Sequence, residues 1–271
     1  MIGLIGKKLG HTRVYDANGV ANVVTVVLAG PNRVLQVKTP KSDGYSAVQL
    51  AFGDQKPQRI SKAKLGHLKK FATAVEDKFL KPAGKKALRN QPEGEVTPLT
   101  AVQKIKEFRN FAHECKPGDL LGVNLFKVGD YVDVIGVTKG RGFEGVMKRH
   151  GFRGGDSTHG SKGWHRRPGA IGQRLFPGTV MRGMKMPGHM GQVQRTVQNL
   201  AIVQVRDADN LLLIRGGTPG SEGDYVIVRE AKKRSRAFEA QRKAKAEKRA
   251  SERKSKGKGG AAKPGASAAK K

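Results

Sequence analysis

The sequence predicts a mainly β fold: a β-barrel with a small α-containing insertion, a long glycine- and arginine-rich loop extension and a basic C-terminal tail. Three observations lead there. Short apolar runs broken by turn residues recur within 1–60, 114–138 and 192–231, which favours a barrel over a parallel sheet. The tract 139–191 is dense in Gly, Lys and Arg, with Glu144 and Asp156 as its acids and no apolar period. Residues 232–271 carry 16 basic and 3 acidic side chains and one aromatic, Phe238.

The elements follow in order. In "RVYDANGVANVV", Asn18-Gly19 separates two apolar runs, a hairpin pattern whose two turn residues are expected at positive φ. Strands are predicted at 32–39 and 45–52, the second presenting Val48, Leu50 and Phe52 on one face by alternation. These belong to 1–60, read as the first part of the barrel. Within 61–113, read as a partly helical insertion, Leu65, Leu68, Phe71, Ala72 and Val75 form a helical stripe behind Ser61 as N-cap. Residues 76–104 read as an irregular Lys-, Pro- and Gly-rich excursion, and 104–112 suits either a helix or a strand. Strand character returns over 120–139, within barrel segment 114–138, and again at 194–216 and 224–231, the closing strands of 192–231. The tail, 232–271, has a first half whose Ala, Glu, Lys and Arg content suits a helix when bound, and a Gly-, Pro- and Ser-containing remainder expected to be disordered in isolation.

Composition narrows the function. There are 53 Lys and Arg against 22 Asp and Glu, a formal charge of +31. Self-repulsion of that size opposes folding, so a polyanion partner, above all nucleic acid, is implied. The single cysteine, Cys115, excludes an internal disulfide and a thiolate metal cluster. The short apolar start "MIGLIG" is not a signal segment, and no apolar run reaches the ~20 residues needed to span a bilayer. Neither membrane nor small-molecule substrate is implied. The expected setting is the cytoplasm, or an organelle if a transit peptide has been removed.

Motifs for chemistry are weak. "GRGFEG", Gly140–Gly145, satisfies G-x-G-x-x-G, but no acid follows at the dinucleotide spacing and no helical stripe succeeds it. "RGFEGVMK" lacks the stacking rings of an RNA-recognition domain. His150, His159, His165 and His189 fit no zinc spacing and lie among cations, so no metal or cofactor is assigned. No nucleophile elbow or carboxylate pair supports catalysis. Two alternatives stay open beside RNA binding: a nucleotide- or RNA-modifying enzyme using Gly140–Gly145, and a nucleoid-type DNA-binding protein.

The tract itself reads as an RNA-binding arm. Glycines let the backbone approach a nucleic-acid surface, prolines limit the entropy lost on ordering, and cations neutralise phosphates. The candidate contacts are Lys139, Arg141, Lys148, Arg149, Arg153, His159, Lys162, Trp164, His165, Arg166, Arg167, Arg174, Arg182 and Lys185. Trp164, the one tryptophan, sits in "SKGWHRRPG", whose neighbours cannot build a core, so the indole is read as a base-stacking group.

These residues also resemble a known family. "MIGLIGKKLGHTRVY" is similar to the start of large-subunit ribosomal protein three, the universal L-three family, in its bacterial form, with His11 in place of a methionine. The pattern continues through Phe126, Asp133, Gly136, Thr138, Gly140-Arg141-Gly142, Gly145 and Arg149, then "THGSKGWHRRPGAIGQ", "PGTVMRGMKMPGHMG" and "RTVQNLAIVQVRDADNLLLIRGGTPG". The resemblance covers Met1 to about Ala231. It implies a non-catalytic constituent of the large ribosomal subunit with a translation-protein-type six-stranded barrel. It also implies that 139–191 is an arm buried in rRNA, with Trp164 to Gln173 nearest the peptidyl-transferase centre. A role early in subunit assembly, contacts to large-subunit proteins fourteen and nineteen, and methylation at Gln173 are further implications.

Overall fold

A computed structural model describes residues 1–68, 101–235 and 238. Phe71, Ala72 and Val75, most of the 76–104 excursion and nearly all of the tail lie outside the described residues.

Twelve strands are described: β1 (Gly3–Tyr15), β2 (Ala21–Leu28), β3 (Asn32–Lys38), β4 (Ala47–Asp54), β5 (Val102–Arg109), β6 (Leu120–Leu121), β7 (Tyr131–Val137), β8 (Gly142–Glu144), β9 (Gly188–Met190), β10 (Gln194–Arg206), β11 (Leu211–Arg215) and β12 (Tyr225–Glu230). The order β1-β12-β7-β10-β11-β2 closes into an antiparallel barrel; β5-β4-β3-β6 form a second sheet and β8-β9 a third. Closure depends on the two longest strands, each serving two neighbours in turn. β1 pairs first with β12 and then with β2, and β10 first with β7 and then with β11. Bulges at Lys8/Gly10, Val197/Leu200 and Ile202/Gln204 supply the bends.

The assignment of residues 1–60 and 114–138 wholly to the barrel is corrected. Of these strands only β1, β2 and β7 belong to it; β3, β4 and β6 form the second sheet with β5. Asn32 holds the crossing. Its buried side chain accepts from Ile5 N (3.1 Å) and donates to Ile5 O (3.1 Å) and Ala29 O (3.0 Å), tying the exit of β2 to β1 as the chain leaves the barrel. The two sheets nevertheless share one core, in which Leu4, Val27, Val134, Leu212 and Val228 pack in the same cluster as Val48, Leu50, Phe52 and Phe108. The predicted apolar face of β4 therefore lies against the barrel. Its opposite face carries Ala51, which packs with Leu35, Val102 and Leu68. Leu68 comes from a helix over residues 62–68, where Ser61 accepts the first hydrogen bonds: Lys64 N to its Oγ (3.4 Å) and Leu65 N to its carbonyl (3.0 Å).

Three local readings also change. The β1–β2 turn keeps Gly19 at φ +76, but Asn18 does not share the positive φ. Hydrogen bonds from Gly19 N to Asp16 O and Asp16 N to Val20 O define a three-residue loop ending in a left-handed glycine, so one positive-φ residue suffices. Residues 104–112, open to either helix or strand, contribute to β5, because β4 offers a register partner from Ala47↔Arg109 to Asp54↔Val102. The run 120–139 is not one strand; a short 3-10 turn at Val123–Leu125 and a loop divide β6 from β7.

Asp133 fixes the junction of β7, β10 and β12. It is 1% exposed, accepts from Asn199 N (3.1 Å) and Lys232 N (3.3 Å), and lies 3.7 Å from Arg229. Asn199 sits at φ +59 in the β10 bulge, so the carboxylate occupies the position where the ladder is interrupted.

Candidate nucleic-acid interface

The arm leaves the barrel as an extension of its ladder. β7 and β10 pair up to Val137↔Gln194; Thr138 N then donates to Val193 O (3.0 Å) and Arg141 N to Met190 O (2.9 Å). β8 and β9 continue the pairing from Gly142↔Met190 to Glu144↔Gly188. Gly191 makes this root possible, since at φ +81 its missing Cβ would stand 2.2 Å from Lys139 O.

Lys8 braces the same root from the barrel side. Its side chain, 4% exposed, donates to Thr218 O and Gly220 O, both at 3.0 Å. The loop so held abuts the end of β7, where Pro219 lies against Gly136 and Gly220 against Val137 O. Burial pushes the Lys8 amine below its ordinary value and the charge of Lys139 adds to that, while Glu222 and Asp224 oppose it.

Beyond β8 a helix, Val146–His150, opens at Gly145 and stops at Gly151 in the left-handed conformation. The sequence pattern gave no warning of it, since five residues are too few to show a stripe. The "GRGFEG" segment thus forms a short strand and is followed by a helix of little more than one turn, not the βαβ unit a dinucleotide requires. Two predicted contact residues serve partly as struts here. Lys148 pairs with Glu144 at 2.8 Å, and Arg149 Nη1 donates to Met186 O at 2.6 Å, with His150 Nε2 3.0 Å from the same carbonyl. Arg149 is accordingly half-buried.

From Gly151 to Pro187 the chain runs in turns rather than regular elements. Among residues 139–191 only Val146 is buried. Lys139, Arg141, Lys148, Arg153, His159, Lys162, Trp164, His165, Arg166, Arg167, Gln173, Arg174, Arg182 and Lys185 are all exposed. Leu175 and Phe176 are 90% and 87% exposed, an extreme value for such side chains in a free surface. The part that does pack is backbone. Gly154 and Gly155 lie against the 164–165 backbone so closely that Cβ atoms there would meet His165 O at 2.1 Å and Trp164 O at 3.0 Å. Trp164 N to Ser161 O and Arg167 N to Trp164 O, both 3.3 Å, form successive tight turns that set Arg167 over the Trp164 ring at 5.0 Å. The pairing of Trp164 with Arg167 and the groove beside them are what the sequence reading missed; the three-residue spacing of the two was the available signal.

What this arrangement can do is limited and specific. Among the described residues no three His, Cys, Asp or Glu side chains gather as metal ligands, and no helix is long and apolar enough to cross a membrane. The arm instead offers a cationic, glycine-rich surface with flat and apolar groups turned outward, suited to phosphates and bases.

Comparison with known proteins places the chain in a family. The Ribosomal protein L3 family matches over residues 93–211. The chain is 41% identical over 235 residues to the large ribosomal subunit protein uL3 of Thiobacillus denitrificans, covering 86% of this chain and 98% of that one. The corresponding protein of Nitrosococcus oceani is 44% identical over 235 residues, with 86% and 97% covered. That of Akkermansia muciniphila is 43% identical over 236 residues, with 86% and 99% covered. With identity of this level across almost the whole length of its relatives, the chain belongs to the ribosomal protein L3 family, structural proteins of the large ribosomal subunit rather than enzymes.

Proposed function

We propose that the protein binds large-subunit rRNA directly through the 139–191 arm, supports an early step of subunit assembly and extends the arm toward the peptidyl-transferase centre. The observation that carries this reading is an arm with one buried side chain whose cations and rings face outward. Such a segment gains little from its own packing, so its working partner is a surface that supplies the missing contacts. The translation-protein-type barrel, seated on the subunit surface of the cytoplasmic ribosome beside proteins fourteen and nineteen, is the anchor in this reading. Gln173, which is exposed, is its methylation site in this reading.

The test is co-sedimentation of the full chain with large subunits through a high-salt wash, compared with a chain in which Arg166, Arg174 and Arg182 are alanine. Wild-type retention with loss in the variant is expected. Equal retention of both would exclude these arm arginines as the RNA-binding element.

A further inference from the structure

We infer that the groove beside Trp164 receives one unpaired RNA nucleotide, its base stacked on the indole and its phosphate met by Arg153 and Arg167. The inference rests on the RNA-binding reading above and narrows it to a single subsite. The groove is open to solvent and holds about 520 Å³, lined by 151–155 and by Trp164, Arg167, Pro168 and Gly169. That volume falls in the ~300–1,000 Å³ range of small-ligand sites.

Its construction favours a base. Gly154 and Gly155 pack directly against the 164–165 backbone, and having no side chains they present only backbone to the groove they line. Peptide N–H and C=O groups are the donors and acceptors that recognise base edges. The indole is held by the two tight turns described above and remains 54% exposed. Arg167 occupies one ring face, which leaves ring surface for a second planar group. No acidic residue lines the groove, while two arginines, Arg153 and Arg167, do, so an anionic ligand with a flat moiety suits it better than a cationic or purely apolar one.

Because the chain has one tryptophan, its emission reports this groove alone. The experiment uses the full chain and a folded large-subunit rRNA fragment, following binding by filter retention and Trp164 emission in parallel, with inorganic polyphosphate as a polyanion lacking bases. Saturable quenching by the rRNA and none by polyphosphate is expected. Trp164→Ala should weaken rRNA binding about tenfold without altering its salt dependence, and Trp164→Phe should recover most of the loss. Binding of rRNA with unchanged emission, equal quenching by polyphosphate, or wild-type affinity in Trp164→Ala each overturns the nucleotide subsite and leaves the RNA-binding arm standing. Absence of rRNA binding by the wild-type chain overturns both.

Discussion

Replacing Arg166, Arg174 and Arg182 together by alanine isolates the ionic part of the arm. All three are exposed, and none forms a hydrogen bond or ion pair with another described residue. Their charges are therefore available to phosphates without breaking anything internal. Each phosphate neutralised contributes about 0.7 to 0.9 to the slope of log K against log salt. Three lost contacts should make the slope shallower by about 2 to 3. Between 50 and 200 mM salt the variant should then lose about 20- to 40-fold less affinity than the wild type, having started weaker. Filter binding or fluorescence anisotropy with an rRNA fragment at four salt concentrations measures this. Thermal unfolding should be nearly unchanged, since each exposed substitution costs within about ±0.5 kcal/mol. A wild-type slope in the variant would show that these arginines do not reach phosphate, and the reasoning that assigns the arm's charge to RNA would fail with it.

Other perturbations separate the barrel from the arm. Asp133→Ala leaves two backbone N–H groups and Arg229 without their carboxylate, and should destabilise the barrel by about 2–4 kcal/mol in urea unfolding; a loss below ~1 kcal/mol would mean water replaces it. Gly191→Ala combines an unfavourable positive φ with a Cβ 2.2 Å from Lys139 O, so the Arg141 N–Met190 O bond should open and the Arg141 amide exchange faster, the barrel core keeping its protection. The carboxyl of Glu107 is held below its ordinary range by the hydrogen bond from Lys38, with Tyr45 and Arg109 adding to it, against the opposing effect of burial. A depressed carboxylate stabilises above its unfolded value of about 4.3 and ceases to as pH falls through the folded one. The gap in Tm between wild type and Glu107→Gln should therefore be constant from pH 7 to 5 and shrink below about 4.3; a constant gap down to pH 2 would contradict the ion pair.

Legibility in the sequence followed the range of the interactions. Alternation exposed the β4 face of Val48, Leu50 and Phe52, and the Asn18-Gly19 hairpin was found because its determinants are adjacent. Which strands share a sheet was not legible. β3 and β4 look like any barrel strand, and only Asn32 reaching Ile5 across 27 positions reveals that the chain leaves the barrel there. The arm was visible by its composition, yet its root was not, because β8 and β9 pair residues about forty-five positions apart over three residues each. Of the candidate contacts, the exposed cations were found from residue type alone. That Lys148 and Arg149 also brace Glu144 and Met186 needed coordinates.

Val146 being the lone fully buried side chain of the arm has a consequence for how variation in this protein is judged. Melting temperatures and expression yields sense the barrel, so they pass almost any change beyond the root as harmless. The outward cations and rings of that segment register only in an assay that supplies the surface they would meet. A library ranked by robustness of the purified chain would therefore keep substitutions that strip the arm of those outward groups.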